Sequence, residues 1–187
     1  QHEIGVHLLT WYNGLHQPML LLAVGLTGYD LLQEGFAVLG EYLAGGMTRE
    51  RTRLLAARIV AVQSVIDGAD FTETFRLLHE GYGFTTKSAF HITMRVHRAG
   101  GLTKDAVYLA GLYALLDYIM GGGDIEPLIL GKMGFRHIAL VKELRLRQVL
   151  QPPRLRPFFL SDPGADARLQ YIRSGHDIIQ IIKEMVQ

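Results

Sequence analysis

An all-α fold is what the sequence predicts, and three observations carry the prediction. Apolar residues recur at helical spacing through nearly the whole chain, the mark of one-sided helices. Residues that start and stop helices alternate along it. No stretch shows the two-residue alternation of a half-buried strand. With 187 residues, 49% of them hydrophobic and 20% charged, the chain has the size and make-up of a single globular domain over 1–187, built from eight helices or so.

The elements read as follows. Helical pattern is present from His2 onward, directly after Gln1, as though the chain starts inside an element and is the C-terminal part of a longer one. Between Gly14 and Asp30 the pattern is irregular, broken by Pro18, Gly25 and Gly28. Asp30 with Gln33 three residues on predicts a capping box, and that helix ends at Gly45-Gly46. Thr48 caps a helix that closes at Gly68, and Asp70 with Glu73 forms a second capping box for a helix ending at Gly81 and Gly83. Thr85 or Thr86 opens the next helix, which stops at Gly100-Gly101; Thr103 opens another, which stops at Gly121-Gly122-Gly123. Asp124 and Pro127 predict a short helix ending at Gly131, and a further helix runs from about Phe135 to Val149. Pro152-Pro153 and Pro157 force an extended connector, since proline lacks the amide proton and keeps the preceding residue out of the helical region. The last helix spans about Ala165 to Met185. These caps account for much of the high glycine content, 21 residues.

Composition excludes several functions. Lys+Arg is 19 and Asp+Glu 18, a net charge of +1, which argues against a nucleic-acid partner. The absence of cysteine excludes disulfides, cysteine zinc fingers, iron–sulfur clusters and a cysteine nucleophile. The apolar stretches at Met19–Leu26 and Ala106–Leu116 fall short of the ~20 residues that cross a bilayer. No membrane association is expected, and the cytoplasm is the expected compartment.

The first residues carry the chemistry. His2-Glu3-Ile4-Gly5-Val6-His7 is an H-E-x-x-x-H pattern. The zinc-protease form, H-E-x-x-H, places its histidines at i and i+4, on one helix face. At i and i+5 a regular α-helix leaves them ~140° apart. A π-type turn of ~4.4 residues brings them back to about 50°, and Gly5 relaxes the backbone between them. A π-type distortion is therefore predicted in the His2–His7 helix. A catalytic zinc takes three protein ligands; without cysteine the third must be His, Glu or Asp. Glu34, read as lying in the first turn of the next strong helix with Gly35 beside it, is a candidate. Glu3 would be the base that takes the proton of the attacking water. Two histidines at a chain start also occur as surface or core residues, and His16 is a rival ligand.

These residues, with Gln33-Glu34-Gly35-Phe36-Ala37, resemble the bacterial flavohemoglobin-expression-modulating proteins named for a QEGLA motif. That family is in turn similar to the eukaryotic tyrosine carboxypeptidases that trim α-tubulin. Thr93 to Arg98, Thr103-Lys104-Asp105 with Tyr108 and Gly111, Asp124 to Leu128, Gly131-Lys132 and Pro152-Pro153 also fit, so the likeness covers essentially the whole chain. It implies a zinc metallopeptidase with His2, His7 and Glu34 as ligands and Glu3 as base. The sequence departs from the family in two ways. The motif reads QEGFA, an apolar change, and the region that precedes the H-E-x-x-x-H helix in family members is missing here. Poor metal binding or no activity is therefore expected of the chain by itself. Tubulin cannot be the substrate of the bacterial members.

A carboxypeptidase must also hold the substrate's terminal carboxylate, which arginine does best through its planar fork. Arg95, Arg98, Lys104 and Tyr108 are the candidates, Tyr108 also as a hydroxyl donor to an oxyanion; a solvated face is the plain alternative. Trp11 and Tyr12 read as core, with an aromatic specificity pocket as the other reading. His79-Glu80 repeats the H-E pair without a second histidine and reads as a helix C-terminal histidine. Arg49, Arg51, Arg53 and Arg58 read as a solvated face. The expected activity is zinc-dependent removal of a C-terminal residue, an aromatic one among the options, from a peptide or protein. The alternative is a helical regulatory module that keeps the motif and hydrolyses nothing.

Overall fold

The computed structural model describes residues 2–98 and 104–184. The fold is all-α: ten α-helices, joined by short 3₁₀ and π segments, with no strand among the described residues. None of these helices is long and apolar enough to cross a membrane. The helix stop at Gly100-Gly101, the Thr103 cap and the end at Met185 lie outside the described residues.

The chain divides into two compact units. The first comprises residues up to Met47 together with those from Ala110 onward, and the second comprises Thr48–Leu109. In the first unit a π-wound segment, His2–Leu8, continues into α1, Leu9–Leu15. After the short α2, Leu21–Val24, comes α3, Tyr29–Leu43, buried on nearly every side. Its apolar residues Leu32, Phe36, Leu39 and Leu43 are fully buried, as expected of a central helix. Gly35 lets a second backbone approach: a Cβ there would lie 2.2 Å from the carbonyl carbon of Gly111. The Phe36 ring packs edge-on against Phe159 at 5.8 Å, so the apolar change within QEGFA is absorbed in the core.

The second unit contains α4, Arg49–Ile66; α5, Phe71–Arg76, followed by a π segment, Leu77–Gly81; and α6, Thr86–His97. The start of α7, Lys104–Met120, belongs to it, and the remainder of α7 to the first unit. Three predicted caps are present. Thr48 accepts from the Arg51 amide, Asp70 and Glu73 form the reciprocal box, and Thr85 accepts from the Ser88 amide. The core is Leu78, Ala57, Ala61, Val62, Ile92 and Val96. Arg58 corrects the solvated-face reading: it is half-buried, 3.9 Å from buried Asp105 and 5.4 Å from the Tyr108 ring.

Two further expectations are corrected. The Asp30–Gln33 capping box does not form: Gly28, in the left-handed region at φ 76°, is the N-cap, and Asp30 lies inside the first turn. Gln33 turns inward instead. The helix drawn from Ala165 to Met185 is two, α9 at Ala165–Arg173 and α10 at Ile178–Glu184, because Gly175 takes φ 95° and ends the first. The helix from Phe135 opens as a 3₁₀ turn, Phe135–His137, before α8, Ile138–Leu146.

The proline connector lies against α1 through two buried amides four residues apart. Asn13 Nδ2 donates to the carbonyls of Ile129 (2.8 Å) and Leu155 (2.9 Å), and its Oδ1 accepts from the Leu155 amide (2.9 Å). Gln17 exchanges a pair of bonds with Gln151. Extended backbone that lacks a sheet partner is thereby satisfied by side chains. This fixes Leu155, Arg156 and Phe158 beside the first helix.

Candidate metal centre

The predicted distortion is present over the whole motif: His2–Leu8 is wound as a π-helix. It brings the two imidazoles edge to face, centroids 5.0 Å apart. At the junction with α1, the Thr10 hydroxyl lies 2.8 Å from the Val6 carbonyl and 3.3 Å from that of His7. It offers a donor where the change of winding disturbs the backbone ladder.

Glu34 comes from α3, in its second turn rather than the first, because the helix already starts at Tyr29. Its Oε2 lies 3.2 Å from His2 Nε2 and 3.5 Å from His7 Nε2. One donor atom from each of His2, His7 and Glu34 falls within 4.8 Å of the others. A tetrahedral ion with bonds of about 2.0–2.2 Å needs donors about 3.3–3.5 Å apart. The two separations to Glu34 therefore fit such an ion with little movement. The donor set of two imidazoles and a carboxylate suits a divalent metal such as zinc.

A second layer orients these groups. Glu41, seven residues after Glu34 and so on the same face of α3, accepts from His2 Nδ1 at 2.9 Å. Gln33 Oε1 accepts from His7 Nδ1 at 3.4 Å and lies 2.8 Å from Thr10 Oγ1. In both histidines Nδ1 is engaged and Nε2 faces Glu34, the arrangement that fixes the tautomer of a metal ligand. The hydrogen bonds to Glu34 and Glu41 hold His2 protonated, raising it to about 9. Burial pushes the Glu34 carboxyl up, but the hydrogen bonds from His2 and His7 outweigh it and bring it down to about 2. The site is thus already arranged around a positive charge.

Glu3 is exposed and lines an open cleft with Ile4, His7, Leu8, Trp11 and Lys132. A second cavity of about 610 Å³ shares Ile4, Leu8 and Trp11 with it and is also lined by Tyr12, Leu155 and Phe158. Trp11 is 42% exposed, so the core reading is corrected: it is a cleft wall.

Residues 1–177 match the family described as microtubule-associated tyrosine carboxypeptidase. The chain belongs to that family. At family level, then, it is of the carboxypeptidase type, acting on a peptide or protein. No curated protein matches it, and no solved structure does.

The remaining members of the predicted site lie in the second unit. Arg95 directs its fork at Asp105, with Nε at 3.1 Å and Nη2 at 2.7 Å from one carboxylate oxygen. That hydrogen bond holds the Arg95 guanidinium above its ordinary value. Burial, then the charge of Arg95, lowers that of Arg58. Tyr108 lies under Arg58, Arg98 follows the last turn of α6 and Lys104 opens α7. His16, the rival ligand, bonds the Tyr12 carbonyl at 2.8 Å. Sequence reasoning missed Glu41, Lys132 and the orienting role of Gln33. The seven-residue interval from Glu34 to Glu41 was the available signal.

Proposed function

We propose that this family member is a zinc-dependent carboxypeptidase of the cytoplasm, removing an aromatic C-terminal residue from a peptide or protein. The observation that carries the reading is the convergence of His2, His7 and Glu34 within 4.8 Å, with Glu3 next in the chain on the cleft wall. A zinc ion held by those three residues supplies Lewis acidity toward a carbonyl and a water. Glu3 is the base: its carboxylate takes the proton of the attacking water and passes it to the leaving amine. Glu41 and Gln33 keep both imidazoles aimed with Nε2 inward. The aromatic side chain enters the apolar cavity, where Trp11, Tyr12 and Phe158 offer rings to pack against. Residues 1–187 act as one helical catalytic region in this reading.

The test is cleavage of a tyrosine-terminated peptide, followed by mass spectrometry. Chelation abolishes cleavage and zinc restores it. Glu3→Gln keeps the metal and lowers turnover by about 10²- to 10⁴-fold. Full activity in Glu3→Gln, or activity indifferent to chelation, contradicts the mechanism and favours a helical module without hydrolysis.

A further inference from the structure

A terminal carboxylate is only one carbon removed from the scissile amide nitrogen, so the group that recognises it must share a cleft with the base. Lys132 does. It lies with Glu3 and His7 along the same cleft of about 350 Å³. It is half-buried and makes no ion pair among the described residues. Its ammonium instead sits 5.9 Å from the centre of the Tyr29 ring, at the start of α3. An ammonium on the wall of this cleft without a carboxylate partner is placed to receive an anion, since its charge is left uncompensated by the protein.

The backbone around Lys132 is held firmly. Its amide donates to the Leu22 carbonyl (2.7 Å), and its carbonyl accepts from the Leu26 amide (2.9 Å). This reciprocal pair fastens the loop after the Glu126–Ile129 turn to the segment that leads into α3. The neighbouring glycines permit the approach: a Cβ at Gly131 would lie 2.6 Å from the Leu22 carbonyl oxygen, and one at Gly134 2.8 Å from that of Gly28. The backbone that carries Lys132 is therefore fixed, and the Tyr29 face supports the cation while no substrate is present. A lysine here suits an end group: it presents a compact charge that accepts a carboxylate in several orientations.

We propose that Lys132 binds the substrate's C-terminal carboxylate and so makes the cleft selective for chain ends. This rests on the carboxypeptidase reading and gives Lys132 that role in place of the sequence candidates Arg95, Arg98, Lys104 and Tyr108. The structural alternative is a lysine that serves only to pack on Tyr29.

The experiment compares a tyrosine-terminated peptide as free acid and as C-terminal amide, in two readouts: steady-state hydrolysis, and equilibrium binding to the Glu3→Gln protein. The parent prefers the acid in both. In Lys132→Met the acid-to-amide ratio falls about 10- to 100-fold, the range for a hydrogen bond to a charged group, and Lys132→Arg keeps part of it. The loss appears in KM and binding more than in kcat. An unchanged ratio in Lys132→Met, with circular dichroism showing the fold intact, overturns the proposal. Binding selectivity that depends on Lys132 supports it even where the parent hydrolyses neither peptide, a result that would count against the carboxypeptidase reading alone.

Discussion

Two segments among the described residues are π-wound, and each carries a His-Glu pair. In His2–Leu8 the pair is followed by a second histidine at the fifth position, and in Leu77–Gly81 it is not. The second segment closes a helix. The Tyr82 amide bonds the Leu77 carbonyl (3.1 Å), and His79 Nδ1 donates to the Phe84 carbonyl at 2.7 Å, tying down the turn beyond Gly81. In the first segment both imidazoles instead meet a buried carboxylate from another helix. Winding alone therefore specifies nothing. The chemistry comes from α3, which presents Gln33, Glu34 and Glu41 to the two rings.

The largest expected effect separates the two glutamates. Glu3→Gln removes turnover as described above, whereas Glu80→Gln, exposed and in the helix-closing segment, leaves kcat/KM within twofold; a comparable loss in both would dissolve the comparison. Next is Glu41→Gln, which weakens the grip on His2 without removing a ligand. Loss of such an orienting partner costs about 10- to 100-fold in metal affinity, measured by competition with a chromogenic chelator. An unchanged affinity would reduce Glu41 to a surface ion pair.

The smallest effect is on the stability of the metal-free protein. His2 is raised from 6.5 to about 9, so its contribution is complete below pH 6.5 and lost as pH rises through 9. Glu34 is lowered from 4.5 to about 2, so its contribution is complete above pH 4.5 and lost as pH falls through 2. Both shifts describe one cluster, which is therefore strongest between pH 4.5 and 6.5. In the presence of chelator, Tm measured against pH should fall on both sides of that window, and Glu41→Gln should blunt the alkaline fall.

Much of this was legible because it is local. The i, i+5 spacing of His2 and His7 dictates π winding once both rings must face one point. Thr48, Asp70–Glu73 and Thr85 mark helix starts because their oxygens reach amides only three residues on. The failures were tertiary. Asp30 and Gln33 have capping-box spacing, but Gln33 is claimed by His7 and Thr10, and Gly28 begins the helix in its place. The last helix was drawn straight through Gly175, whose left-handed conformation ends it. Asn13 and Gln17 carry no local signal for the proline connector that their amides hold. Lys132 carries no local pattern; only the pairing of its loop with Leu22 and Leu26 brings it to the cleft.

The central claim is that the π turn and α3 together hold one divalent ion. Zinc content per chain, by elemental analysis of protein equilibrated with zinc and then desalted, tests it most directly. Against the weak binding expected from sequence, the convergence of His2, His7 and Glu34 within 4.8 Å predicts one zinc per chain in the parent and in His79→Ala, and less than a tenth of that in His7→Ala. Zinc retained in His7→Ala, or none in the parent, would contradict the account.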